Sequence, residues 1–438
     1  MECLNHSQIF ELFFDDTYTP LFSCPAVCAA HGAVSGKPTY AICQSGQALQ
    51  SKDVQCMIQL LQLAAKTGNP VATFYNSVGV QLEDGLQALQ ATRELTQTIG
   101  RISGVVPQVA VVLGTCAGSA AIQAASADLC LMAKQAELFL TAPFVSEANG
   151  DVLEGAGSAE FAEKAGVAAA VYETQEKAIS AARDAIMLLP MNNLDFGAKL
   201  DYQPPKNPLN MQNYCRIRAG ASLLDHDRDF ELFPHYGSRN SYIALGTIEG
   251  ETVGVVATSD RYLEHESVTK IARFVCLCDA YNIPVVTLVH NQGFVKTSSE
   301  DLAGGICEAA RLAGTYADAT TAKVAILAGK VVGPIYTALC SADLTIALEG
   351  CVVYPIEPKA AVEILQHDQM KQQPMEALEQ AAKEYAAQHC SADAVLDAGL
   401  AQMRADEQTI RDTVAAALRI LKSKRAERLP KKHGNMAL

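Results

Sequence analysis

Apolar residues along the chain follow two periods, which predict helices and strands in alternation. Residues 54–66 repeat apolar positions every three or four residues, which predicts a helix, and Gly68 is placed to end it. Residues 71–75 and 109–113 are uninterrupted apolar runs of the kind that central strands of α/β sheets show. A second helical stretch, residues 84–102, lies between these two runs. The pattern therefore predicts an α/β fold of buried strands flanked by helices.

This pattern occurs a second time further along the chain. Gly293 follows Gly79 by 214 positions, and Asp343 follows Asp128 by 215. In each copy an apolar run leads into a turn of small residues, which is Cys116-Ala117-Gly118-Ser119-Ala120 in the first copy and Gly333-Pro334-Ile335-Tyr336 in the second. Solenoid repeats have periods of roughly 20–50 residues, so the longer period found here indicates two copies of a whole domain.

The composition of the chain places the boundary between the copies after residue 190. Residues 190–240 are rich in Asn, Pro, Arg and Asp and have weak periodicity. We therefore expect a first domain at residues 1–205, a linker at 206–240 and a second domain at 241–438, with a hairpin early in each copy. Near the end of the second copy, residues 406–425 predict an amphipathic helix that is followed by the basic run 429–435.

Charge and cysteine content restrict the function and the compartment. The net charge of −14 argues against nucleic-acid binding, because duplex affinity comes mostly from Lys and Arg at phosphates. Fourteen cysteines and a start unlike a signal peptide indicate reduced thiols in the cytoplasm, with no structural disulfide expected. Cys24 and Cys28 have no second pair at zinc spacing, so no metal site is expected. The longest apolar stretch, residues 104–125, is interrupted by Pro107 and predicts core rather than a membrane span.

The two small-residue turns are the best candidates for a functional site. A strand that runs through such a turn into a helix leaves backbone N–H groups at the helix start, where they can stabilise an oxyanion. The alternative is that the glycines only permit tight turns and close packing; the matching register of the two turns favours the functional interpretation. His290 follows a strand and is a candidate titratable group, with a hydrogen-bonded structural histidine as the alternative. The sequence has no Gly-x-Ser-x-Gly elbow and no Gly-Lys-Ser/Thr phosphate loop.

These segments resemble those of a known family, the biotin-dependent acyl-CoA carboxyltransferases. The first-copy turn, followed by Ser126-Ala127-Asp128 and by residues 139–143, is similar to the acyl-CoA-side motif of that family. Similarity to the second domain of the family is found at residues 272–275, 278–284, 293–294, 330–333 and 361–365. Residues 225–236 resemble the family's linker, and residues 423–435 resemble its C-terminus. The resemblance covers the chain from about residue 32 onward and is of the propionyl-CoA carboxylase beta and glutaconyl-CoA decarboxylase alpha kind.

The resemblance implies a fold and a reaction. The fold would be α/β with two tandem crotonase (ClpP-like) domains, each a twisted sheet flanked by helices. The first domain would bind an acyl-CoA and the second carboxybiotin on a separate carrier, with the active site between the first domain of one subunit and the second of another. Carboxybiotin would lose CO2, the biotin oxyanion would remove the α proton of the thioester, and the enolate would capture CO2. Two backbone oxyanion holes would stabilise the two enolates.

The resemblance also implies site residues. The hole for the acyl enolate falls at Ala117, Gly118 and Ser119, and the hole for biotin falls at Gly333, Pro334 and Ile335. The residues expected to line the substrate cavity are Ser77, Gly79, Val80, Thr141, His290, Gly293, Phe294, Tyr336 and Thr337.

Several of these positions depart from the family pattern. The chain has Val78-Gly79-Val80-Gln81 in place of Gly-Gly-Ala-Arg, and His290-Asn291-Gln292 in place of Asp-x-Pro. Ser119 and Pro334 stand where the family has a second glycine, and Thr337 stands where it often has an aspartate. Such changes are compatible with a different acyl group, with decarboxylation as the physiological direction, or with lost activity.

The chain also lacks parts that the complete reaction needs. It has no biotin-accepting Met-Lys-Met, since Met370-Lys371-Gln372 does not match, and no ATP-grasp carboxylase segment. We therefore expect a biotin carboxyl carrier protein, and either biotin carboxylase or membrane decarboxylase subunits, as partners, and a homo-oligomer that is a hexamer by resemblance. The first alternative is a non-catalytic scaffold subunit of such a complex. A single-domain CoA thioester hydratase or hydrolase is disfavoured by the duplication.

Overall fold

The computed structural model describes residues 3–209, 217–370, 374–427, 429–431 and 434. The chain divides into two compact units: unit 1 is Met1–Ala198 with Leu232–Tyr236, and unit 2 is Lys199–Glu231 with Gly237–Leu438. The segment expected as a linker is shared between them. Of the sequence motifs, Lys371, Gln372 and three residues of the final basic run (432–433 and 435) lie outside the described residues.

Unit 1 is built on one sheet with helices on both faces. Its strands are β1 (Tyr18–Ser23), β2 (Val27–Val34), β3 (Lys37–Gln44), β4 (Val71–Ser77), β5 (Gln108–Ala117), β6 (Leu129–Ala133), β7 (Glu137–Phe139) and β8 (Ala170–Tyr172). Its helices are α1 (His6–Phe13), α2 (Ser51–Thr67), α3 (Gly85–Ile102), α4 (Ser119–Ala125), α5 (Pro143–Ala148), α6 (Ala159–Lys164) and α7 (Gln175–Leu188), with a 3-10 turn at Leu82–Asp84.

The sheet of unit 1 runs β1-β2-β3-β4-β5-β6-β8, with β7 added to the end of β5. The β1-β2-β3 meander is antiparallel and the remaining pairs are parallel. Alternation along β4 separates the two faces: Val71 belongs to the core under α2 and α3, whereas Phe74 meets Phe13 of α1 edge-on at 5.1 Å. Gly68 ends α2 in the left-handed conformation, as the sequence predicts.

Unit 2 repeats this architecture. Its strands are β9 (Phe230–Glu231), β10 (Ser241–Ile248), β11 (Glu251–Thr258), β12 (Tyr262–Leu263), β13 (Val285–Asn291), β14 (Gly293–Phe294), β15 (Lys323–Val332), β16 (Leu344–Leu348), β17 (Val352–Tyr354) and β18 (Met403–Ala405). Its helices are α8 (His265–Ala280), α9 (Ser298–Leu302), α10 (Gly305–Asp318), α11 (Gly333–Leu339), α12 (Pro358–Leu365), α13 (His367–Met370), α14 (Met375–His389), α15 (Ala392–Asp397) and α16 (Ile410–Leu421), with a 3-10 stretch at Ile217–Leu223. The sheet order is β18-β16-β15-β13-β11-β10-β9, with β17 added to β15 and a separate β12-β14 pair.

The duplication extends to the pairing of individual residues. In unit 1 Ala117 pairs with Phe139, and in unit 2 Val332 pairs with Tyr354, each residue 215 positions after its counterpart. The β4–β5 and β13–β15 pairs also have their register shifts at equivalent places, after Tyr75 in unit 1 and after Val289 in unit 2. The expected α/β architecture of two repeated sheets flanked by helices is confirmed.

Two local features, an aspartate hydrogen bond and a hairpin turn, recur at equivalent positions in both units. Asp128 accepts a hydrogen bond from the backbone N–H of Gln108 at 2.8 Å, and Asp343 accepts one from that of Lys323 at 2.8 Å, so both aspartates fix the start of a central strand. The β2–β3 hairpin of unit 1 and the β10–β11 hairpin of unit 2 each turn through two residues of positive φ, for example Ser35 at 50°, which is the turn geometry that matches strand twist.

The final helix is shorter than the sequence predicts. It spans Ile410–Leu421 rather than 406–425, because the Asp406 carboxylate accepts hydrogen bonds from the N–H groups of Gln408 and Thr409 and forms a turn ahead of the helix. Within the described ranges, none of the helices combines the length and the hydropathy that a bilayer crossing requires.

Candidate functional site

The small-residue turn of unit 1 lies where β5 passes into α4. Gly118 has φ of 60°, which glycine adopts without strain, and α4 begins at Ser119 as the sequence predicts. The N–H of Gly118 donates to the carbonyl of Phe139 at 2.9 Å, so this amide is already engaged in strand pairing. The first amides of a helix have no intrahelical acceptor, and those of Ser119 and Ala120 occupy that position in α4.

A cavity of about 540 Å³ opens beside this turn. It brings together five of the residues predicted from the sequence, which are Gly79, Val80, Ala117, Gly118 and Ser119. Its remaining walls are mostly apolar and come from α2 and the residues before it, the loop after β4, α3, β5, α4, and β7 with the segment that follows it. The residues are Leu49, Val54, Val78, Gly85, Leu89, Thr92, Leu95, Thr115, Ala120, Gln123, Phe139, Leu140 and Ala142. Ser77 and Thr141 are not among the lining residues.

Ser77 acts on the cavity through its neighbour. It is fully buried, and its Oγ accepts a hydrogen bond from the N–H of Gly79 at 3.1 Å. The same loop is held to the segment before α2, since the N–H of Leu49 donates to the carbonyl of Gly79 at 2.8 Å. Ser77 therefore fixes the loop that forms one wall, and Thr141 is exposed between two lining residues.

The loop has its equivalent in unit 2. Asn291 stands 214 positions after Ser77, and its Oδ1 accepts a hydrogen bond from the N–H of Gly293 at 2.8 Å. Both glycines have positive φ, 115° at Gly79 and 124° at Gly293. The two glycine loops are therefore built the same way from different side chains.

The turn of unit 2 differs from that of unit 1 by one position. Here α11 begins at Gly333, which is the counterpart of Gly118 and not of Ser119. Pro334 is in the first turn and has no N–H, so Gly333 and Ile335 supply the remaining amides there. A side chain at Gly333 would lie 2.8 Å from the carbonyl oxygen of Pro355, which explains why only glycine fits.

A cavity of about 330 Å³ lies beside this second turn. Of the predicted residues, Phe294, Pro334 and Thr337 line it, and most of the remaining walls are apolar: Leu263, His265, Val268, Val295, Glu300, Asp301, Gly305, Ile306, Ala309, Ala313 and Ala338. The other predicted residues of unit 2, Gly293, Gly333, Ile335, Tyr336 and His290, lie outside this lining, and the side chain of Ile335 is fully buried.

His290 lies near the end of β13 and does not line the cavity. It is only 5% exposed, and its Nδ1 accepts a hydrogen bond from the N–H of Lys330 at 2.8 Å, so any proton on the neutral ring is on Nε2, 3.7 Å from Asp260. Burial lowers the pKa of His290; the Asp260 carboxylate opposes this and Lys330 adds to it. The geometry supports the structural alternative for this histidine.

Three titratable residues that line the cavity of unit 2, His265, Glu300 and Asp301, were not predicted from the sequence. His265 begins α8, and its Nδ1 lies 3.1 Å from a carboxylate oxygen of Glu300. Burial lowers the pKa of His265, but the hydrogen bond to Glu300 and the neighbouring glutamates outweigh it and raise the pKa overall.

The sequence analysis also did not predict that α2 and α3 form walls of the unit 1 cavity. The signal available in the sequence was the run of apolar residues on the solvent side of α3, where Leu86 is 82% exposed.

Comparisons with known proteins agree with this architecture. The family model described as carboxyl transferase domain matches residues 17–436. The chain is 29% identical to the methylmalonyl-CoA decarboxylase subunit alpha of Propionigenium modestum, over 94% of this chain and 86% of that protein. It is 30% identical to a propionyl-CoA carboxylase beta chain of Saccharopolyspora erythraea, over 87% of this chain and 77% of that one.

The fold is also found among solved structures. Transcarboxylase 12S, solved as a hexamer with methylmalonyl-CoA and methylmalonic acid bound, superimposes with a TM-score of 0.92 at 23% identity, covering 99% of this chain and 92% of that one. The chain therefore belongs to the carboxyl transferase family. This confirms the family, the crotonase-like fold and the class of enzyme expected from the sequence, a carboxyltransferase.

Proposed function

We propose that the chain is the carboxyltransferase subunit of a cytoplasmic biotin-dependent system and moves a carboxyl group between carrier-borne biotin and an acyl-CoA. The observation that carries this proposal is the repeated turn: two strand–turn–helix elements in matching register, each beside its own largely apolar cavity. One oxyanion site for each of two enolates is what such a transfer requires.

The substrates follow from the family and the cavities fit them. The family uses biotin and a CoA thioester, and biotin supplies the carboxyl group that is transferred. The cavity of unit 2 has mostly apolar walls, and Gly333 and Ile335 flank its lining residue Pro334, so it suits a compact, mostly apolar bicyclic ring. The larger cavity of unit 1 suits an acyl thioester.

In unit 1 the backbone provides the hydrogen-bond donor for the acyl enolate. The N–H of Ser119 is the best-placed donor for the thioester oxygen as negative charge develops, because the Gly118 amide is occupied by Phe139. The apolar walls exclude water and strengthen this hydrogen bond. Since no charged side chain lines this cavity among the described residues, the acyl group itself is expected to be uncharged beyond the carboxylate that is transferred.

In unit 2 the departures from the family change the donors but not the principle. Pro334 removes one amide, and Thr337 donates its hydroxyl to the carbonyl of Gly333 at 3.0 Å instead of offering a carboxylate. We propose that Gly333 and Ile335 suffice to hold the ring, and that the lost donor lowers the rate of transfer rather than abolishing it.

Partners are needed to complete the reaction. We propose that these partners are a biotin carboxyl carrier protein and either biotin carboxylase or membrane decarboxylase subunits. We also propose that the chain forms a homo-oligomer, as transcarboxylase 12S does. Exposed apolar side chains in both units are consistent with association: Leu82, Leu86, Leu140 and Phe144 in unit 1, and Leu302, Ile306, Ile364 and Leu365 in unit 2.

The test is carboxyl transfer from labelled malonyl-, methylmalonyl- and glutaconyl-CoA to free biotin. We expect transfer with an ester whose acyl group is otherwise uncharged, and acid-labile label on biotin only when both substrates are present. Binding of CoA esters or of a biotinylated carrier without any transfer would instead support a scaffold subunit.

A further inference from the structure

Two cysteines of unit 1 are in direct contact. Cys24 lies in the turn between β1 and β2, Cys56 lies on α2, and their Sγ atoms are 2.8 Å apart. A disulfide bond is about 2.05 Å long, whereas unbonded carbon atoms stay about 3.5–4.0 Å apart. The two sulfur atoms are therefore closer than an ordinary packing contact, although they are 32 positions apart in the sequence. None of the cysteines among the described residues forms a disulfide in this structure.

A second link holds the same two segments together. Asp53 precedes Cys56 by three positions, which places both side chains on one face of α2. The fully buried Asp53 carboxylate accepts hydrogen bonds from the N–H of Gln50 at 2.8 Å and from that of Ala26, two residues after Cys24, at 3.4 Å. The Cys24 turn is itself closed by a hydrogen bond from its N–H to the carbonyl of Val27 at 2.8 Å. The backbone thus imposes the thiol contact.

The pair is accessible to solvent. Both side chains are partly exposed. Burial, together with the neighbouring Cys24 thiol, raises the pKa of Cys56 to about 12, so Cys56 holds its proton at neutral pH. A thiolate is the nucleophile in thiol–disulfide exchange, so the raised pKa slows attack by Cys56 at neutral pH.

We propose that Cys24 and Cys56 are a dithiol site that exchanges with low-molecular-weight disulfides to form an intramolecular disulfide. One thiol of the pair loses its proton and attacks a small disulfide; a mixed disulfide forms, and one small thiol leaves with that proton. The second thiol of the pair gives its proton to the leaving group as its sulfur attacks the mixed disulfide, and the second small thiol is released. Two protein thiols and one small disulfide give one protein disulfide and two small thiols, so atoms and electrons balance. This site is independent of the proposed carboxyl transfer.

The bond would join the β1–β2 turn to the helix that supplies Val54 to the cavity of unit 1. Closing this loop restricts the unfolded chain, so the oxidised protein is expected to unfold at a higher temperature than the reduced protein.

The test is a redox titration of the full chain with glutathione disulfide and glutathione as the probe, followed by alkylation and peptide mapping. We expect a cross-linked peptide pair containing Cys24 and Cys56, lighter than the free peptides by two hydrogen atoms and reversed by excess reductant. The variants Cys24→Ser and Cys56→Ser should each lose this cross-link, and Cys28→Ser, on the neighbouring strand, should keep it. Full alkylation of both cysteines, or separate mixed disulfides on each, at the most oxidising ratio would overturn the proposal; the wild-type map alone decides this even if a variant fails to fold.

Discussion

The Nδ1 atom of His290 accepts a hydrogen bond from the backbone N–H of Lys330 at 2.8 Å, which joins the ends of two neighbouring strands. The position equivalent to His290 in unit 1 is Asn76, 214 residues earlier. Each residue donates its backbone N–H to a side chain at the end of the neighbouring strand. Asn76 donates to Gln44 at 3.1 Å, and His290 donates to Thr258 at 3.0 Å. The strand ends that carry the two turns are thus supported by the same scaffold with different side chains.

This relationship predicts a pH dependence of stability that Asn should remove. Burial holds the pKa of His290 in the folded chain below its usual 6.5. As the pH falls, the unfolded chain therefore binds a proton at this residue at a higher pH than the folded chain does. The free energy of unfolding should therefore fall below about pH 6.5, by at most about 1.4 kcal/mol per pH unit from this residue. The variant His290→Asn, which copies unit 1, should show a smaller loss in urea unfolding between about pH 7.5 and pH 5. Parallel curves for both proteins would contradict this role.

A glycine opposite His290 is predicted to be intolerant of a side chain. A Cβ at Gly329 would overlap Nδ1 of His290, as one at Gly114 would overlap Asn76. We expect Gly329→Ala to lower the free energy of unfolding by about 1–3 kcal/mol, the usual cost of overpacking.

The matched control is Gly100→Ala, in the interior of α3, where a Cβ would meet nothing within 4 Å. This change should raise stability by roughly 0.5–1 kcal/mol, because alanine favours the helix. The account of Gly329 would be wrong if Gly329→Ala and Gly100→Ala had the same effect in denaturant unfolding.

A buried carboxylate is predicted to hold unit 2 together. Asp225 is ion-paired with Arg411 of α16 and accepts hydrogen bonds from Thr247 at 2.7 Å and from the N–H of Gly250 at 2.8 Å. Asp225→Asn leaves the arginine without its counter-charge, so the free energy of unfolding should fall by about 3–5 kcal/mol.

The control lies two residues away. Asp227 is 86% exposed at its side chain and has φ of 54°, a conformation that asparagine also adopts readily. Asp227→Asn should leave the thermal midpoint unchanged, and equal shifts for Asp225→Asn and Asp227→Asn would show that Asp225 is not the anchor.

The missing amide of unit 2 gives a prediction about rate. Pro334→Ala restores an N–H in the first turn of α11, so carboxyl transfer to biotin should become faster, by up to about 10²-fold if the donor is aligned with the developing charge. Pro358→Ala makes the same chemical change in the first turn of α12, whose Pro358 does not line the cavity, and should leave the rate unchanged. Initial rates at saturating acyl-CoA decide this, and a Pro334→Ala rate equal to wild type would remove Pro334 from the biotin site.

The sequence predicted those elements whose signals are local. Helix α4 begins at Ser119 as expected because Gly118 ends the strand and small apolar residues follow. Helix α2 starts three residues earlier than its apolar pattern, since Asp53 caps its first turn through the N–H of Gln50. These differences are small because the deciding residues are neighbours in the chain.

The features that the sequence did not predict depend on distant partners. Which amides of the unit 1 turn are occupied depends on Phe139, which pairs with β5 only in the folded sheet. The burial of His290 depends in the same way on Lys330, 40 positions later. A sequence places both residues near a strand end but cannot show which hydrogen bonds they make there.

The central claim is that the backbone N–H of Ser119 stabilises the thioester enolate. Ser119→Pro removes this N–H at the first position of α4, a helix position where proline is tolerated, whereas Ser119→Ala removes only the hydroxyl. The decisive measurement is the initial rate of carboxyl transfer to free biotin from the acyl-CoA that wild type uses best. We predict that Ser119→Ala keeps the wild-type rate and Ser119→Pro loses about 10²–10³-fold in kcat with its fold intact. A folded Ser119→Pro protein that matches Ser119→Ala would contradict the account.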